Sequence, residues 1–292
     1  MNIFKGLFYT TTLLTSLAVN ANQISIKNSV NSDGQVSMLW PIQDKVQKPL
    51  TVNEQAWATL ISKKKDVWRT QFDTLAIPFS ETPITRDISI IIGNRGGRDG
   101  FTITNKHPTH IYFNVSVLSR SYGDANSVQN QTRISRIFAH EYTHLLQYQW
   151  LKRNPYPIKT PLQQALYQSY IEGLGHFRSI SNKWRDEHGR ITPHAENRLR
   201  DLEKTFVNRL IALKTANKEQ VDELLRGLAS GPFHKKWGAL TVALWLTKES
   251  QGDDKKLRKW VNLGPNGVYQ LADKYLSNDL KSKLSSHNIS TL

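Results

Sequence analysis

Five consecutive residues, His140-Glu141-Tyr142-Thr143-His144, bring together the side chains that metal-assisted hydrolysis requires. Apolar residues at 134, 137, 138, 145 and 146 recur at helical spacing around them, and the pattern predicts a helix. Residues four apart share one helix face, so two imidazoles can reach one ion at about 2 Å each. Glu141 stands one step round the helix, where its carboxylate can take a proton from an activated water without occupying a coordination position. The chain contains no cysteine. Thiolate sites, disulfides and thiol nucleophiles are therefore excluded, and any metal has to be held by histidine and carboxylate.

Catalytic zinc takes three protein ligands and keeps one position open. A metzincin would place a third histidine at position 150 after a glycine at 147, but these positions hold Trp150 and Gln147. The next candidate is Glu172, in Tyr170-Ile171-Glu172-Gly173-Leu174-Gly175-His176. A helix, a proline-containing connection and a second antiparallel helix would return Glu172 to the side of His140 and His144. Gly173 and Gly175 would permit the close approach. His176, four residues after Glu172, is open to three readings: a ligand, an outer partner of one, or an ordinary helical histidine.

Positions 139–147 together with Ile171-Glu172-Gly173-Leu174 resemble the gluzincin group of zinc metallopeptidases, in which the helix bearing two histidines is followed by one bearing a glutamate ligand. The resemblance runs from the strand at Ile111 to His176. It implies Zn²⁺ as cofactor, His140, His144 and Glu172 as its ligands, Glu141 as general base, and peptide-bond hydrolysis of a peptide or protein substrate. It also implies that the strand at 111–115 is the sheet edge along which an extended substrate pairs. Gluzincins commonly stabilise the oxyanion with a later Tyr or His; His234 is the candidate here, with Tyr269 and Tyr167 as competitors.

The elements that must position these groups define an α+β fold, a small mixed sheet ahead of a mostly helical portion. Strands are expected at 23–27, 36–40, 88–92, 101–104 and 110–117, and an amphipathic helix at 52–72. The glycine-rich stretch 94–100 lacks the Gly-Lys-Ser/Thr of a P-loop and reads as a connection between strands. Helices are expected at 128–152, 161–184, 193–215, 218–229, 233–248, 255–260 and 268–276. The chain divides into a leader, a sheet-containing portion at 22–126 and a helical portion at 127–292 that carries the metal site, with 22–292 as one catalytic unit.

Residues 1–21, with Lys5, an apolar stretch and Val19-Asn20-Ala21, have the pattern of a secretory signal peptide, so export to the periplasm or outside is expected. No segment is apolar enough to span a bilayer. The 292 residues carry 39 Lys and Arg against 24 Asp and Glu, a net charge of +15, which favours anionic envelope surfaces or acidic substrates. The basic runs are short and no nucleic-acid module is present, so a specific nucleic-acid partner is not expected. His107, His110, His188, His194 and His287 read as surface residues, and the eight tryptophans as packing. The alternative function is a non-catalytic peptide- or envelope-binding protein on a zincin scaffold.

Overall fold

The strand β2 (Ile88–Gly93) is four isoleucines interrupted by Ser89, and all six residues are buried. A β-branched run covered on both faces suits a strand inside a parallel arrangement. It pairs in parallel with β1 (Ile24–Asn28) on one side and with β4 (Thr109–Asn114) on the other. The short β3 (Gly100–Ile103) pairs antiparallel with β4, giving the order β1-β2-β4-β3. The structure, a computed structural model, describes residues 24–28, 49–79, 82, 88–94, 97–103 and 109–289. The leader expected at 1–21, the strand expected at 36–40 and His107 lie outside the described residues.

This order corrects one expectation. The strand at 111–115 is flanked by β2 and β3, so its main-chain groups are already committed on both sides. Among the described residues the sheet ends at β1 and β3 instead. The strand is also shorter than the expected 110–117, because Asn114 turns the chain into helix α3 (Val115–Tyr122): its side chain accepts from the N–H of Ser116 and Val117.

The helix expected at 52–72 is two, α1 (Val52–Lys63) and α2 (Lys65–Ala76), parted at Lys64. Trp68 and Phe72 of α2, four apart, meet Phe138 and Tyr142 of α4 (Val128–Arg153), also four apart. Trp68 stacks on Phe138 at 4.5 Å between ring centroids, and Phe72 on Tyr142 at 4.7 Å. Such pairs contribute about 0.5–1.5 kcal/mol each beyond area burial. Their larger consequence is rotational. With Phe138 and Tyr142 fixed in the core, α4 must turn His140 and His144 to a different face.

After a connection containing Pro155 and Pro157, α5 (Pro161–Ser179) returns antiparallel, started by a Thr160 capping box with Pro161 in the first turn. It packs between α4 and α8 (Ala239–Ser250). The remaining helices are α6 (Pro193–Thr215), α7 (Lys218–Leu225), α9 (Arg258–Leu263), α10 (Gly267–Tyr275) and α11 (Asn278–Ser286). Three expected helices, 161–184, 218–229 and 233–248, are shorter than their patterns suggested, and α11 was not anticipated. Buried apolar residues form one cluster from Trp57 to Ile289, to which all seven described tryptophans belong. No described helix is long and apolar enough to cross a membrane.

Candidate metal centre

Two helices supply the donors. His140 Nε2 and His144 Nε2 of α4 lie 2.9 Å apart, and Glu172 Oε2 of α5 lies 3.6 Å from the first and 3.9 Å from the second. Three ligands about 2.0–2.1 Å from a tetrahedral zinc are separated by roughly 3.3 Å, so the cluster already has the dimensions of such a site. The helices approach this closely because Gly175 has no side chain. A Cβ there would stand 2.8 Å from His140 Cε1 and 2.9 Å from His144 Cε1. Gly173 has a different task. A Cβ on it would meet Val242 Cγ1 at 2.5 Å, so it serves the contact of α5 with α8 and not the metal site.

The tautomer of His144 follows from its neighbour. Gln147 donates its amide N–H to the Tyr170 carbonyl at 3.3 Å, which turns its Oε1 towards His144 Nδ1 at 2.9 Å. An amide oxygen only accepts, so His144 carries its proton on Nδ1 and presents a lone pair at Nε2. Burial, then the neighbouring His140, pushes the His144 imidazole below its ordinary range, towards the neutral form that a metal ligand needs. Burial opposes the charge of Glu172, but contact with His140 and the fields of the surrounding imidazoles outweigh it and hold the carboxyl well below the usual carboxylate range.

Glu141 is buried beside the cluster. Burial pushes its carboxyl up to about 7, against the opposing pull of His144 and of Thr102. Thr102 comes from β3: its hydroxyl stands 2.7 Å from the Glu141 carbonyl oxygen and 3.1 Å from Oε2, and its single proton serves one of them at a time. Gly100, two residues earlier on the same face of β3, lies against Ile137 and Glu141. Strand β3 therefore runs directly over the glutamate.

His176 is also gathered in. Ligand atoms of His140, Glu172 and His176 lie within 4.8 Å of one another, so a second set of three shares two members with the first. His176 faces the opposite nitrogen of His140, with the two Nδ1 atoms 3.3 Å apart. Its own Nε2 meets Lys236 Nζ at 3.0 Å. His234 is not brought to the donors by any described contact. It is exposed in the turn Phe233–Lys235, where its carbonyl accepts from Arg198.

Sequence reasoning missed Gln147, Thr102 and Lys236. Gln147 stands three residues after His144 and was legible as a helix neighbour. Thr102 and Lys236 arrive from remote elements, and no spacing signals them. Comparison of the chain with protein-family models, with curated proteins and with solved structures finds no match in any of the three.

Proposed function

We propose that the protein is an exported zinc-dependent metallopeptidase of gluzincin type. The observation that carries this reading is the convergence of His140 Nε2, His144 Nε2 and Glu172 Oε2, no two more than 3.9 Å apart, beside the buried Glu141. These three donors would hold Zn²⁺, which when bound supplies Lewis acidity towards a scissile carbonyl and a water.

The chain's own residues do the rest. Glu141 accepts the proton of the attacking water and hands it to the leaving amine. A carboxyl pushed up to about 7 is matched to both transfers near neutral pH. Thr102 stands within reach of Oε2 and donates to it when its proton is not on the Glu141 carbonyl. Among the described residues β3 has no strand on its outer side, and in this reading an extended peptide adds there, beside Glu141. His234 serves as the oxyanion donor in this reading: it is exposed, and its turn is tied to the site by Phe233, which packs on His176 at 5.3 Å. Export rests on the leader-like residues 1–21.

Glu141→Gln should retain one zinc per chain and lose about 10²–10⁴-fold in turnover of a peptide library. His140→Ala and Glu172→Ala should lose the metal. Digestion by Glu141→Gln at the wild-type rate would refute the assigned base. Zinc binding by the wild type without cleavage of any peptide would favour the non-catalytic, peptide- or envelope-binding alternative.

A further inference from the structure

The residues that lead into β3 are pinned. Asp99 accepts from the Tyr122 hydroxyl at 2.7 Å through Oδ2 and from the Gly100 N–H at 3.0 Å through Oδ1, and its carbonyl accepts from the Asn114 N–H at 2.9 Å. Gly100 in turn lies against Glu141. Arg98, the residue before Asp99, is thereby held at the rim of the metal centre. Its side chain is exposed, and among the described residues it enters no hydrogen bond or ion pair. The adjacent Asp99 does not neutralise it, since both Asp99 carboxylate oxygens already have other donors.

A guanidinium keeps its charge in any such setting. Two other parts of the chain feel it. Tyr148, four residues after His144 on the same face of α4, is half-buried, and among the described residues its hydroxyl has no hydrogen-bond partner. Burial pushes its phenol up, Glu172 and Glu141 push the same way, and Arg98 opposes them. Burial pushes the Lys236 amine down; Glu172 and Asp99 oppose it, and Arg98 adds to it. Lys236 Nζ stands 3.0 Å from His176 Nε2, so the reach of Arg98 extends to the side chains around the donor cluster. A guanidinium fork and a hydroxyl, both without partners in the protein, suit the two oxygens of a carboxylate.

We propose that Arg98 and Tyr148 form a binding site for a carboxylate of the substrate, an acidic side chain or the chain end, close to the bond that is cut. The inference rests on the peptidase reading above and gives it a substrate class. A peptide added outside β3 begins or ends its pairing two residues from Arg98, which places its carboxylate beside the guanidinium. The net charge of +15 draws acidic peptides from a distance, and Arg98 supplies the contact that selects among them.

The test is calorimetric titration of the full chain as zinc-loaded Glu141→Gln, which in that reading binds substrate without turning it over. The probes are short Ala-Ser peptides blocked at both ends, carrying one Glu or one Gln at successive positions, and the Gln peptides with a free or an amidated C-terminus. At one position, or at the C-terminus, the carboxylate form should bind about 10-fold more tightly than its amide counterpart. A Glu-over-Gln preference identifies a side chain as the source, and a preference for the free C-terminus identifies the chain end. Adding Arg98→Gln should reduce the ratio to about 2-fold or less, and adding Tyr148→Phe should reduce it about 3-fold. Equal affinities throughout, or a ratio left intact by either variant, would overturn the proposal. The peptidase reading fails separately, if the wild type cleaves none of these peptides, and the affinity ratios decide the carboxylate site in that case too.

Discussion

Glu141 and Glu172 show how one site drives two carboxyl groups apart. Glu172, among imidazoles, is held well below the usual range, while Glu141, buried beside Thr102, is pushed up to about 7; the proposed ligand and the proposed base want these opposite shifts. The second shift carries a stability consequence. The folded metal-free protein binds the Glu141 proton more tightly than the unfolded chain does. This contribution to stability is therefore fully present below about pH 4.5 and is lost as pH rises through 7. Glu141→Gln removes the dependence. In the presence of chelator the variant should be more stable than the wild type by about 1–3 kcal/mol at pH 8, with the gap closing towards pH 5. Urea unfolding across that range measures it, and a gap independent of pH would contradict the assignment. At this scale the sequence was informative for groups that share a helix. His140, Glu141 and His144 follow from spacing alone, whereas Thr102 and Lys236 are supplied by other elements and depend on tertiary placement.

The elements place the site by two close approaches of α5. Gly175→Ala should push against both imidazoles and lower zinc affinity at least about 10-fold, whereas Gly173→Ala should leave zinc affinity intact and destabilise the α5–α8 contact by about 1–3 kcal/mol. Zinc titration and thermal unfolding of the two variants separate these effects; equal zinc affinities would deny Gly175 its part. The long helices were legible because their caps and periodicity agree, as with Thr192-Pro193 before α6 and Thr160-Pro161 before α5. The failures came where local preference and context disagree. Val115-Ser116-Val117 looks like more strand, yet Asn114 caps a helix there. Three consecutive lysines gave no sign of the break at Lys64, whose N–H bonds back to the Ile61 carbonyl. That β4 is flanked on both sides was beyond pattern reasoning, because β3 folds back onto it through pairing that no local periodicity encodes.

For the whole molecule, the apolar cluster from Trp57 to Ile289 joins the helices that carry the donors to the sheet that carries Thr102. Zinc held between α4 and α5 should therefore stabilise the folded chain by mass action, by about 2.7 kcal/mol when free zinc is 100 times its dissociation constant. A zinc-dependent rise in Tm, abolished by His144→Ala, is the expected result. The net charge of +15 should add a weak attraction to anionic vesicles that fades as salt rises from 0.05 to about 0.3 M. The most direct test of the central claim is zinc-edge X-ray absorption on the stoichiometrically loaded protein. The account predicts a four-coordinate ion with two imidazoles and at least one carboxylate oxygen at about 2.0–2.1 Å, and loss of one imidazole in His144→Ala. A purified protein that takes up no stoichiometric zinc, or whose zinc spectrum is unchanged by His144→Ala and Glu172→Ala, would contradict it.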